Sequence, residues 1–173
     1  MWKMTYKEFV FNIQKITKYY EILVEETKNN KTVGSTNEWI LDNFYVISEQ
    51  EKSIKYELCA KDIVRIKVKR KKQLYDLLYA DLTKLNFHID LDILFNAINA
   101  YQEQHDDYFS YAEINYLFIL FRVILIKELS VLSEKLKNKL KKKNEAEKLI
   151  AQIKEMTQIS DANVMLNNLQ QKE

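Results

Sequence analysis

Apolar side chains recur along this chain at intervals of three and four residues, the spacing that gathers them on one face of an α-helix. Tyr6, Phe9, Ile13, Ile16, Tyr20 and Leu23 form the first such stripe. It follows Thr5-Tyr6-Lys7-Glu8, which has capping-box spacing. In that box the hydroxyl accepts one unpaired backbone N–H and the glutamate reaches back to another. The polar run 27–36 holds the only glycine, Gly34, and reads as a linker. Ser35-Thr36-Asn37-Glu38 repeats the box and opens a helix with Ile40, Phe44, Ile47, Ile54 and Leu58 on its stripe. Leu74, Leu77, Leu78, Leu82 and Leu85 predict the next helix, ending near Asn86. Asp90 can cap another, with Leu91, Leu94, Ile98 and Tyr101 along one side, and His105-Asp106-Asp107 makes the turn that follows.

Residues 110–132 break this amphipathic rule. From Ile114 to Ile126 only Asn115 and Arg122 are clearly polar. A helix apolar on most of its circumference is a membrane span or the middle of a bundle. A span wants roughly 20 nearly uninterrupted apolar residues, and Glu113, Arg122, Lys127 and Glu128 punctuate this one. The stretch therefore predicts a core helix that all other segments cover, leaving no cavity for chemistry. Its start is marked by Ser110-Tyr111-Ala112-Glu113, a third capping box.

Beyond it, Leu129, Leu132, Leu136 and Leu140 continue a narrow stripe while most other positions are Lys, Glu or Asn. That pattern describes a helix wet on most sides. Leu149, Ile150, Ile153 and Met156 regain an apolar face, and the polar end, 167–173, should fray. Within 61–72, Val64, Ile66 and Val68 alternate with Arg65, Lys67 and Lys69, but no second strand is present to pair with, so an irregular or helical connector is expected. The fold predicted is all-α, a bundle of about five or six helices around the apolar one. It divides into an N-terminal helix and linker, 1–34, a helical core, 35–132, and a Lys-rich helical extension with a polar tail, 133–173.

Composition agrees. The 173 residues include 47% apolar and 12% aromatic side chains, enough for a real core. One Gly and no Pro leave little material for the tight turns a sheet requires. A formal charge of +2 directs the chain to no partner. The single Cys59 cannot form an internal disulfide and suits a reducing interior. Residues 1–24 carry charges every few positions and lack the apolar core of a secretory signal, so the expected location is cytoplasmic.

Candidate chemistry is sparse. Lys135, Lys137, Lys139, Lys141, Lys142 and Lys143 lie within nine residues, and Arg65, Lys67, Lys69, Arg70, Lys71 and Lys72 within eight. Such clusters suit an acidic partner, phosphates or an anionic lipid surface, although charge runs are more often a solvated helix face. Without interleaved aromatics for base stacking, nucleic acid is a poor fit. Glu103, His105, Asp106 and Asp107 fall short of the converging ligands a transition metal needs, since His88 is the only other histidine. Arg122, placed among bulky apolar residues, requires a partner from another segment; Asp42 is the first choice. With no Gly-rich phosphate loop, nucleophile elbow or paired His acid and base, neither an active site nor a cofactor is expected in this chain.

Three stretches together resemble a known family. Glu38-Trp39-Ile40-Leu41-Asp42-Asn43-Phe44-Tyr45-Val46-Ile47-Ser48-Glu49-Gln50 is similar to a Glu-Trp-Leu-Leu-Asp-Asn segment near the N-terminus of cyclic β-1,2-glucan synthases, large glycosyltransferase/phosphorylase proteins. Ile89-Asp90-Leu91-Asp92 through Ala100-Tyr101-Gln102 resembles a second family segment, and Phe109 to Ile114 with Arg122 resembles a third. Asn115 and Phe118 stand where the family usually has Trp and Pro. The resemblance implies a non-catalytic scaffold or docking region at the inner face of the cell membrane. The UDP-glucose-dependent chemistry would then be carried by downstream membrane-bound domains of the same polypeptide. It also implies Trp39, Asp42, Asn43, Tyr45, Glu113 and Arg122 as shared structural residues. The alternative is a free-standing helical interaction module that binds an acidic partner, nucleic acid or membrane through its Lys-rich faces.

Overall fold

The computed structural model describes residues 2–29, 31–59, 71–88, 91–106 and 108–159. Among these the structure is all-α: helices α1 (Trp2–Lys28), α2 (Ser35–Cys59), α3 (Lys71–Lys84), α4 (Leu91–His105) and α5 (Tyr111–Ile159), with no strand. The chain forms two compact units, Met1–Ser133 and Glu134–Glu173. The first holds α1 to α4 and the beginning of α5; the N-terminal helix is thus part of the same unit as the core. The second holds the remainder of α5. The basic run 61–70, Ile89, the proposed cap Asp90, Asp107 and the tail 160–173 lie outside the described residues, as do the side chains of Thr5, Leu58, Cys59, Lys71, Leu91 and Met156.

The first unit is built on two apolar clusters that share α5. In one, Leu74, Leu78 and Leu82 of α3 and Leu94 and Ile98 of α4 meet Tyr116, Leu117, Leu120, Phe121 and Ile124, with Phe109 completing it. In the other, Phe9, Ile13 and Ile16 of α1 and Ile54 of α2 meet Ile119, Val123 and Ile126. A 3.6-residue repeat sends Leu117, Leu120 and Ile124 to one side of α5 and Ile119, Val123 and Ile126 to another. This is why the sequence there is apolar over so much of its circumference. The covering is nevertheless incomplete, contrary to the expected full enclosure. Ile114 and Phe118 are 41% and 47% exposed and Tyr111 is more so.

Helix ends follow local chemistry. At Ser110 the predicted box is formed: the Ser110 N–H and hydroxyl both donate to Glu113 Oε2, at 2.9 and 2.8 Å, and the Glu113 N–H donates to Ser110 Oγ at 3.3 Å. The other two boxes work differently. α1 already runs from Trp2, so Thr5-Tyr6-Lys7-Glu8 sits inside a helix rather than at its start. At α2 the carbonyl of Gly34 accepts the N–H groups of Asn37 and Glu38, both at 3.0 Å, so the cap falls on Gly34 and not on Ser35. Gly34 has a φ of +83°, which only glycine adopts cheaply. α3 ends near Asn86 as expected: the Phe87 N–H closes on the Leu82 carbonyl at 2.8 Å, with Asn86 at a φ of 49°.

Polar contacts fix how the helices meet. The Tyr19 hydroxyl donates to Asn37 Oδ1 at 2.6 Å, and the Asn37 amide donates to the Val33 carbonyl, tying α1 to the start of α2. Tyr20 stacks on Phe44 with ring centroids 3.9 Å apart. Ser130 Oγ donates to Asn12 Oδ1 at 3.2 Å, and both residues are buried.

Candidate functional site

Arg122 does find a partner, but it is Glu57 rather than Asp42. Nη1 donates to Glu57 Oε1 at 2.9 Å and Nη2 donates to Glu57 Oε2. Nη1 also reaches Gln50 Oε1 at 3.3 Å and Ser53 Oγ at 3.4 Å, and Nε reaches the Phe118 carbonyl at 3.3 Å. The Ser53 hydroxyl donates to Glu57 Oε1 at 2.6 Å. The guanidinium bond holds the Glu57 carboxyl below its ordinary range, against the opposing effect of burial and with help from Ser53. Neither charge is deeply buried, since about a third of each side chain faces solvent. A carboxylate so engaged is a weak base, and Ser53 has committed its proton to it. The cluster joins α2 to α5 and has no group poised for catalysis.

A second polar group joins three helices. Lys127 Nζ donates to the Tyr75 hydroxyl at 3.0 Å, pairs with Glu8 at 3.1 Å and stands 5.1 Å from the centre of the Tyr79 ring. Burial works to lower its pKa, but the bonds to Tyr75 and Glu8 outweigh that and raise it. The Tyr79 hydroxyl in turn donates to Glu128 Oε1 at 3.2 Å. Lys127 is thus paired with Glu8, while Glu128 accepts from a neutral hydroxyl.

The remaining chemistry lies on the outer surface of α2. Trp39 and Tyr45 are 63% and 61% exposed, and Tyr56 and Val46 are exposed with them. Glu38, Asp42 and Glu49 belong to the same stretch. At roughly 100° per residue all of these fall within an arc of about 120°. Over 38–49 the result is an acidic face set with aromatic rings; further along the same arc Ser53 and Glu57 are taken up by Arg122. Beside it Thr27, Lys31, Thr32, Val33, Glu38, Leu41 and Asp42 line an open groove, where Lys31 already pairs with Glu26 at 2.9 Å.

No protein-family model, curated protein or solved structure matches this chain.

The residues singled out from sequence therefore separate. Glu113 caps α5, and Arg122 is joined to α2. Asn43 donates to the Trp39 carbonyl at 2.8 Å within its own helix. Trp39, Asp42 and Tyr45 contribute nothing to the buried core and face outward. Lys135, Lys137, Lys139, Lys141, Lys142 and Lys143 all lie on α5 in the second unit. Lys137, Lys141 and Lys143 pair with Glu134, Glu145 and Glu147. His105 closes α4 by bonding the Tyr101 carbonyl through Nδ1 at 2.8 Å. Among the described residues no three His, Cys, Asp or Glu side chains converge as a metal site would need, and no helix is long and apolar enough to cross a membrane. Sequence reasoning missed Glu57 and the outward aspect of Trp39 and Tyr45. The placement of Trp39 was detectable, since it stands one residue off the stripe that starts at Ile40.

Proposed function

We propose that this chain is a non-catalytic helical docking module, and that its partner is the membrane-bound catalytic part of a glucosyltransferase of the cyclic β-1,2-glucan synthase kind. The observation that carries the reading is the acidic, aromatic face of α2. Its Trp39, Asp42 and Tyr45 belong to the segment 38–50 that resembles the N-terminal region of those enzymes. The core makes no use of these three side chains, so their chemistry is left for a partner. Exposed Trp and Tyr are the side chains that dominate binding interfaces when a partner covers them. In this reading the helices form a bundle of about five or six around 110–132, and the basic segment 133–173 is its C-terminal extension. UDP-glucose is handled by the partner and not here.

The test uses the full chain and a solubilised cyclic β-1,2-glucan synthase from which the N-terminal helical region has been deleted. The wild-type chain should bind the truncated enzyme and raise its glucan synthesis from UDP-glucose. The double variant Trp39→Ala/Tyr45→Ala should bind at least about tenfold more weakly, as loss of an interface hot spot does. No binding by the wild type removes the glucan synthase assignment. Equal binding by wild type and variant removes the α2 face.

A further inference from the structure

In the second unit, α5 carries lysines that the fold leaves without carboxylates beside aliphatic side chains that it leaves exposed. Lys137 and Lys141 are paired with Glu134 and Glu145. Lys135, Lys139 and Lys142 have no carboxylate within ion-pair distance among the described residues, and all three are exposed. Leu149, Ile150 and Ile153 are each more than half exposed. At roughly 100° per residue these six positions share an arc of about 100°. Between Lys135 and Ile153, Ala146 is the other residue inside that arc, and none of the glutamates there falls within it. The buried Leu140 faces away from it. With a rise of about 1.5 Å per residue, the arc runs for about 27 Å from Lys135 to Ile153.

We propose that this arc binds the surface of an anionic membrane, with the helix lying in the interfacial plane. Leu149, Ile150 and Ile153 enter the boundary between headgroups and acyl chains, and Lys135, Lys139 and Lys142 reach lipid phosphates. Two features select a lipid surface over other anions. The side chains that share the arc with the lysines are aliphatic, which gain by leaving water for lipid and offer nothing on which a base can stack. The cations are all lysine, whose flexible stems lie along apolar surface while the ammonium stays with the headgroups, whereas Arg would be expected for bidentate reading of phosphates or bases. The proposal stands on the second unit alone and is independent of the α2 face.

The experiment is cosedimentation of the full chain with phosphatidylcholine vesicles, with and without about 30% phosphatidylserine. The chain should partition to the anionic vesicles, and raising the salt from about 0.1 to 0.5 M should release it. Lys135→Gln/Lys139→Gln/Lys142→Gln should lower partition about a hundredfold, near fivefold for each lysine. The charge-matched Lys137→Gln/Lys141→Gln/Lys148→Gln, which changes lysines outside the arc, should lower it far less. Leu149→Gln/Ile150→Gln should also lower it, with unchanged helical circular dichroism. Equal losses in the two lysine triples would show net charge alone and overturn the face. Absence of binding to anionic vesicles overturns the proposal, as does binding to a DNA duplex that exceeds binding to the vesicles, which assigns the lysines to nucleic acid instead.

Discussion

Arg122 of α5 and Glu57 of α2 meet at two points, each guanidinium Nη on its own carboxylate oxygen. Geometry of this kind resists rotation of either helix about its axis, which a single lysine contact would permit. Partial exposure limits its value, and a double-mutant cycle with Arg122→Ala and Glu57→Ala should return a coupling of about 1 kcal/mol. The single Glu57→Ala substitution should cost more than the coupling itself, because Arg122 then loses its carboxylate and keeps only the neutral acceptors Gln50, Ser53 and the Phe118 carbonyl. Because the folded-state pKa of Glu57 is depressed, its contribution is complete above the unfolded carboxyl's ordinary value and is lost as pH falls through the lowered one. Urea midpoints measured down an acid series should show this slope in the wild type and a shallower one in Glu57→Gln.

Alkaline stability should depend on Tyr116. Burial in the cluster of α3, α4 and α5 pushes its hydroxyl up to about 12 from an ordinary 10.0. In the unfolded chain the phenol ionises first, so that state binds fewer protons between the two values and stability falls as pH rises through the interval. Tyr116→Phe should flatten this part of the profile in denaturant titrations. Ultraviolet titration should also find Tyr116 among the last tyrosines to ionise, with Tyr19 and Tyr79, which burial also raises.

Gly34→Ala should destabilise by about 1–2 kcal/mol although an added methyl would meet no atom within 4 Å. The cost is conformational, set by the positive φ at the cap of α2. Gly34→Asn should recover much of it, since Asn tolerates this region better. Thermal melts of the two variants check the order; equal losses would point to a lost contact instead.

Within the core, Leu120→Ala should cost about 2–5 kcal/mol, whereas the exposed Leu149→Ala should lie within about 0.5 kcal/mol of wild type. The contrast is measurable in one set of urea curves. It separates the apolar residues that hold the fold from those that the fold leaves in water.

Much of this arrangement was legible in the residues. The described positions of the α1, α3 and α4 stripes pack as their spacing predicts, because burial of one face is what stabilises such helices. Ser110 and Glu113 cap α5 because both partners are present at a helix boundary. The same spacing at Thr5 marks no helix start: the helix begins earlier, and Glu8 is used across the bundle by Lys127. That Arg122 required a partner followed from its apolar neighbours. Asp42 and Glu57 lie about four turns apart along α2, and one chain read alone does not reveal where α2 sits along α5. Trp39 and Tyr45 are bulky and apolar yet outward, a case in which residue type pointed inward and position on the helix pointed out.

The hydrogen bond between Asn12 and Ser130 sets one last constraint. Hydrocarbon surfaces slide past one another with little penalty, and α1 offers α5 a long greasy ridge on which several alignments would be nearly equivalent. Displacing α1 by a single turn would strand an amide and a hydroxyl among aliphatic neighbours, a loss of about 1–3 kcal/mol for each group. The pair thus works as a notch that rejects misaligned assemblies, whatever small amount it adds to the correct one.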